Sequence, residues 1–586
     1  MNGIIREYLL DLYGTASGAK TYDRLSRLMA EYRKRIERPQ FARDQTEDVG
    51  TSLPIDEQDA ILITYGDQFR EEGKAPINSL GDFLSRHLKG IVSGVHILPF
   101  SPYSSDDGFS VIDYRQVNPE WGDWSDVQRI GRDFRLMFDL VCNHVSAQSL
   151  WFKEFLKGNR RYRDYFITVA EGEDLSRVFR PRALPLLSSF DTAAGKKNLW
   201  TTFSPDQIDL NYGNPGLLLE IIDILLEYTE RGAHWIRLDA IAYLWKTIGT
   251  SCIHLEQTHK VVQLFRAVFN VVAPWVMIIT ETNVPHEDNI SYFGNGYNEA
   301  QLVYQFPLPP LVLDAFRRGD ARHLSDWASG LGELAGNITF FNFLASHDGI
   351  GVLPAHGILS NDELAGLGSL ASEHGGYVSY KATPDGEIPY ELNISYLNAI
   401  AHPEEEIRIK AAKFLTSQAV MLALSGVPGI YVHSILGTEN FRAGVEQTGM
   451  KRSINRRKFD LAAIETKLSR SGSLQAVIFE GYLSLLKARR ANPAFNPFAE
   501  QRLLEGEKAL FSLLRVSRDK KQRLLCIHNT GDRKCLFTGP VSLLSSAAPD
   551  SAIDVISGNT VPVSRNKGSD EIEIPVGPYQ TLWLKV

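Results

Sequence analysis

The sequence predicts an α/β chain built on a (β/α)8 barrel, with one insertion after the third strand, a second after the seventh, an N-terminal helical extension and a C-terminal β domain. Three observations carry that prediction. Short runs at 60–65, 95–100 and 136–141 lack polar alternation, as strands covered on both faces do. Runs at 234–239, 276–280 and 338–344 end on, or shortly before, an acid: Asp239, Glu281 and Asp348. In such a barrel, side chains at the carboxyl ends of different strands converge on one site. Finally, 586 residues exceed an ordinary single domain, and a barrel with appendages is the natural division.

Taken in order, residues 1–55 form the extension. Over 1–38, Leu25, Leu28, Met29, Tyr32 and Ile36 recur at helical spacing, opposite Arg24, Arg27, Lys34 and Arg35, and a polar linker with Pro39 and Pro54 follows. The barrel takes 56–144, 201–348 and 399–499, with its eighth strand at 429–432. Residues 145–200, with Pro181, Pro185 and aromatics from Tyr162 to Phe166, make too long a connection for a plain loop. The second insertion spans 349–398. From 500 to 586, alternating runs such as 510–516 and 579–584 read as strands of a β domain.

Composition narrows the function. With 44% hydrophobic and 23% charged residues the chain is an average globular protein, and its net charge of −8 argues against a nucleic-acid surface. Cys142, Cys252, Cys526 and Cys535 show neither metal-ligand nor disulfide-framework spacing, which predicts reduced thiols. The first residues lack a signal peptide's basic-then-apolar profile, and no apolar run approaches a membrane span. The expectation is a cytoplasmic enzyme, monomer or homodimer, acting on small molecules without nucleic-acid or membrane partners.

The chemistry lies at the strand ends. Arg237 and Asp239, two residues apart on an extended chain, point to the same side, where the guanidinium keeps the carboxylate ionised and oriented. Two carboxylates flanking a glycosidic bond are the minimum for glycoside chemistry, and Glu281 and Asp348 supply more than that minimum. Arg237-Leu-Asp-Ala, Ile279-Thr-Glu-Thr, Ser346-His-Asp and Asp139-Leu-Val-Cys-Asn143-His144 together resemble the signature regions of the α-amylase family. That resemblance makes 145–200 the family's B domain. It implies Asp239 as nucleophile, Glu281 as general acid and base, and Asp348 with His347 and Arg237 as stabilisers of the cationic transition state.

Further segments are similar to the sucrose-phosphorylase-like subfamily: Ser104 to Phe109, Arg180-Pro181-Arg182, Gly249 to Cys252 and Ile454-Asn455-Arg456. The resemblance then implies that Asp106 and Arg456 clamp one glucosyl ring, that Phe109 and Phe203 wall it, that His144 binds substrate, and that Arg182 and Tyr390 bind phosphate. Asn283 stands where sucrose phosphorylase has His, and Glu391 where it has Gln. Those departures, with 250–256, 281–286 and 444–456, resemble the members of the subfamily that act on glucosylglycerate.

The reaction implied is reversible phosphorolysis of 2-O-α-D-glucosyl-D-glycerate with net retention, through a β-glucosyl ester on Asp239. Inorganic phosphate is the co-substrate, and no cofactor or metal is implied. Asn143 matches a residue that binds calcium in amylases, but sucrose phosphorylases keep this motif without the ion. An ionised Glu391 accepts hydrogen bonds from acceptor hydroxyls, and the glycerate carboxylate then needs a cation, for which Arg182, Lys451 and Arg452 are the candidates. Action on sucrose, sucrose 6′-phosphate or glucosylglycerol is the alternative in the same class. An inactive carbohydrate-binding accessory protein on the same fold is the alternative from another class.

Overall fold

The computed structural model describes residues 2–39, 55–181, 184–332, 334, 336–383, 386–544, 550–565 and 570–586. Eight parallel strands close a barrel: β1 (Ile61–Thr64), β2 (Gly94–Ile97), β3 (Arg135–Val141), β4 (Ala233–Asp239), β5 (Met277–Thr280), β6 (Leu302–Tyr304), β7 (Thr339–Asn342) and β8 (Val427–Tyr431). Their side chains are buried almost without exception, as strands enclosed by helices outside and packed side chains inside must be. Gly94 illustrates the packing limit: a Cβ there would stand 2.6 Å from the ring of the fully buried Trp235.

Register sets the site. β4 runs beside β3 with Arg237 opposite Asp139, and beside β5 with Arg237 opposite Ile279 and Leu238 opposite Thr280. Continuing the second pairing by one residue brings Asp239 level with Glu281. The sixth strand has no counterpart among the runs singled out in the sequence, because its three residues lie between Gln301 and Gln305.

The appendages surround this frame. A helix at Asn2–Arg35, turned at Gly14 (φ 73°), packs against helices Pro215–Glu230 and Glu256–Val272. Leu25, Met29 and Tyr32 are buried there, and Tyr32 Oη donates to the Asp223 carboxylate at 2.8 Å. Its basic face is exposed, and there Arg35 pairs with Glu230 and lies 4.3 Å from the Tyr32 ring centre. After β3, His144–Ser146 pairs with Gln207–Asp209, and Thr168–Val169, Leu187–Thr192 and Gly195–Trp200 form a small sheet. After β7, Ile350–Gly351, Tyr377–Thr383 and Gly386–Asn393 form another, alongside helix Asn361–Glu373. Beyond residue 499 a six-stranded sheet and a three-stranded sheet enclose their own apolar core. None of the described helices is long and apolar enough to cross a membrane.

Candidate active site

β4 delivers Asp239 to the carboxyl mouth of the barrel, and the chain turns at once: Ala240 takes a left-handed conformation with φ 49°. For a residue with a Cβ this costs on the order of 1 kcal/mol. The turn aims the Ala240 N–H at Glu281, which accepts it through Oε2 at 3.2 Å. One guanidinium joins the two acids, with Arg237 Nη1 2.9 Å from Asp239 Oδ1 and Nη2 3.7 Å from Glu281 Oε2. Arg237 is in turn held by Asp139, whose other oxygen lies 2.6 Å from His96 Nε2. Burial acts to raise the Asp139 carboxyl, but Arg237 and His96 outweigh it and hold it at about 2, so Asp139 stays ionised and fixes Arg237 in place.

The protonation of the pair follows from these contacts. Burial pushes both Asp239 and Glu281 above the ordinary carboxyl range, Asp239 the more strongly, with Arg237 opposing the rise and neighbouring acids adding to it. Two carboxylates sharing one dry space hold a proton between them and titrate as a unit. The nearer contact of Arg237 to Asp239 favours the charge there, whereas the stronger rise of Asp239 and the Ala240 N–H on Glu281 oppose that placement.

Asp348 has a different environment. Burial acts to raise it too, but the Arg452 and Arg456 guanidiniums outweigh that and hold it well below the usual carboxylate range. His347 is pushed down to about 3 by burial and is therefore neutral. Its ring stacks on Phe109, with centroids 4.6 Å apart and planes at 5°. His144, lowered by burial, donates from Nε2 to the Phe109 carbonyl at 2.8 Å, and its ring meets Phe203 at 5.3 Å.

One cavity at the barrel mouth gathers most of the sequence-predicted residues. Asp239, Glu281, Asp348, His347 and Phe109 line it, as do Asp106, His144, Phe203, Tyr390 and Glu391. Arg237 and Arg456 lie just behind this surface. Arg182 falls outside the described residues, although its neighbour Pro181 lines the cavity.

Three details add to the sequence reading. Arg456 donates to Asp107 at 2.7 Å and lies 3.7 Å from Asp106, which lines the cavity. Arg456 also donates to the His347 carbonyl at 2.8 Å, while its Nη2 keeps a donor without a partner 3.8 Å from Asp348. Glu391 is engaged through one oxygen, since its Oε1 takes the Arg452 Nε–H at 2.8 Å and the Gly349 N–H at 2.9 Å. Arg452 pairs with Asp348 as well, which meets its charge, while exposed Lys451 donates to the Val378 carbonyl at 2.9 Å and does not line the cavity.

The structure adds Phe179, Tyr243, Asn283 and Lys381 to the lining. Of these, sequence reasoning noted Asn283 alone. The others sit in loops and insertions, where no strand-end pattern marks them.

The chemistry of Asn143 and Asp209 would suit a cation, and one is built in. Lys246 Nζ lies 2.7 Å from Asn143 Oδ1 and 2.6 Å from Asp209 Oδ2, with both charged side chains almost fully buried. A divalent ion would need these same oxygens, so the residues present do not fit one.

Comparison with known proteins agrees with this geometry. Residues 87–349 match the family model described as alpha amylase, catalytic domain. The chain is 53% identical over 99% of its length, and 98% of the relative's, to a glucosylglycerate phosphorylase of Spirochaeta thermophila. It is 30% identical over 74% of its length, and 88% of the relative's, to a sucrose phosphorylase of Agrobacterium vitis. The crystal structure of sucrose 6F-phosphate phosphorylase from Thermoanaerobacter thermosaccharolyticum superposes with a TM-score of 0.71 at 24% identity, covering 89% of this chain and 98% of that one, a likeness of fold.

Proposed function

We propose the function from a premise the comparisons establish: the chain belongs to the α-amylase family, in the branch of the glucosylglycerate and sucrose phosphorylases. It is a retaining glycoside phosphorylase that reversibly converts 2-O-α-D-glucosyl-D-glycerate and phosphate to α-D-glucose 1-phosphate and D-glycerate. The observation that carries this reading is the near full-length similarity to a glucosylglycerate phosphorylase, well above that to a sucrose phosphorylase.

The geometry supports the mechanism. Asp239 and Glu281 share one guanidinium, which keeps them close together. Asp239 attacks the anomeric carbon as Glu281 protonates the departing glycerate oxygen, leaving a β-glucosyl ester on Asp239. Hydrogen phosphate then attacks the same carbon from the vacated side, gives its proton to Glu281 and frees the Asp239 carboxylate. Positive charge on the ring meets ionised Asp348, while the stacked Phe109 and neutral His347 form the wall beside it. Family resemblance gives the hydroxyls of the glucosyl ring to Asp106 and Arg456. Family resemblance gives phosphate to Arg182 and Tyr390.

The test is a ranking. With glucose 1-phosphate as donor and acceptors at equal concentration, phosphate release should be fastest with D-glycerate, by roughly ten-fold or more over glycerol, fructose and fructose 6-phosphate. A fructose-led ranking makes the enzyme a sucrose phosphorylase, and a glycerol-led one a glucosylglycerol phosphorylase.

A further inference from the structure

This inference rests on the function proposed above, in which the acceptor carries a carboxylate. A carboxylate entering a cavity lined by several acids needs a cation whose charge is not already cancelled. Arg237 is cancelled by Asp139 and Asp239, Arg452 by Asp348 and Glu391, and Arg456 by Asp107. Turning any of them toward a ligand would break a buried pair.

Lys381 differs. It lies on the strand Tyr377–Thr383 of the second insertion, is half-buried, and lines the same cavity as Glu281, Asn283 and Tyr390. Among the described residues no acid pairs with its ammonium. The ammonium instead sits 4.9 Å from the ring centre of Phe179, a contact that favours a cation while leaving its hydrogen-bond donors available. Phe179 is itself fixed, its N–H donating to the Ser251 carbonyl at 2.9 Å and its ring lying 6.4 Å from that of Tyr243. The strand pairs Lys381 with Ile388, two residues before Tyr390, so the lysine and the tyrosine belong to one two-stranded wall.

We propose that Lys381 holds the carboxylate of the acceptor, and that this ion pair makes the enzyme select a hydroxy acid over the corresponding polyol. An uncharged acceptor of the same size would leave the ammonium unpaired, which is the basis for discrimination.

The experiment uses the full chain with Lys381→Ala, Lys381→Gln and Lys381→Arg, and D-glycerate, glycerol or no acceptor against glucose 1-phosphate. The alanine and glutamine variants should raise the KM for D-glycerate at least about ten-fold. Transfer to glycerol and hydrolysis should stay within about two-fold of wild type, and arginine should restore most of the loss. An unchanged KM for D-glycerate overturns the proposal, as does a parallel fall in transfer to glycerol. A rise in the KM for phosphate with D-glycerate unaffected assigns the lysine to phosphate and also overturns it. A wild type without preference for D-glycerate over glycerol removes the function reading, and this assignment with it; failure of the assignment alone leaves that preference intact.

Discussion

The two sides of the cavity are made of different material. On the glucose side the working groups stand at the ends of barrel strands, and their charges are held in a buried lattice running from His96 through Asp139 and Arg237 to Asp239. The wall that the proposal above gives to the acceptor draws Phe179, Lys381 and Tyr390 from the insertions after β3 and β7. The contrast separates tasks. Ring binding and bond cleavage require fixed dipoles and carboxylates of opposite protonation, which a barrel rim provides. Acceptor choice requires only that one wall be changed, and an insertion can change without disturbing the rim.

Substitutions on the two sides should therefore fail differently. The largest effect belongs to Asp239→Asn, which should lower turnover by several orders of magnitude with every acceptor while the thermal transition stays close to wild type. Substantial residual turnover in a clean preparation would refute the nucleophile assignment.

Next comes Glu281→Gln. It should impair transfer from glucosylglycerate far more than from glucosyl fluoride, whose leaving group needs no proton. In the wild type the competent form of Glu281 is protonated and its pKa is raised, so kcat/KM should fall as pH climbs through that raised value. The glutamine variant should lack this limb with glucosyl fluoride. Equal losses with both donors would point to another acid.

The smallest effect should come from Glu391→Gln on the acceptor side. Glutamine keeps an oxygen for the Gly349 N–H but no longer neutralises Arg452, so acceptor KM should shift by only a few fold and turnover on glucosyl fluoride hardly at all. A loss as deep as that of Glu281→Gln would erase the distinction between the two sides.

How much was legible in the sequence follows the same division. Asp239, Glu281 and Asp348 were readable because each lies at, or shortly beyond, an apolar run, and a closed barrel leaves such residues only one place to go. β6 was not, because three residues between two buried glutamines carry no periodicity. Asp107 went unremarked as a partner of Arg456, since that contact depends on two successive left-handed turns that composition does not reveal. Arg452 and Glu391 were noticed as charges but not as partners, because their meeting depends on how the second insertion folds back over the rim. Lys381 gave no signal at all: a single lysine in a ribbon is ordinary until the cavity beside it is seen.

Lys246 carries a consequence of its own. The two ends of the segment after β3, Asn143 and Asp209, are held together by the Lys246 ammonium from beyond β4, where a dissociable ion would otherwise have to be captured from solution. A covalently tethered charge has no dissociation equilibrium, so this junction owes nothing to the ionic make-up of its surroundings. At this junction, turnover should therefore be alike in calcium-poor and calcium-rich media and in the presence of strong chelators, which an assay with added calcium or chelator checks.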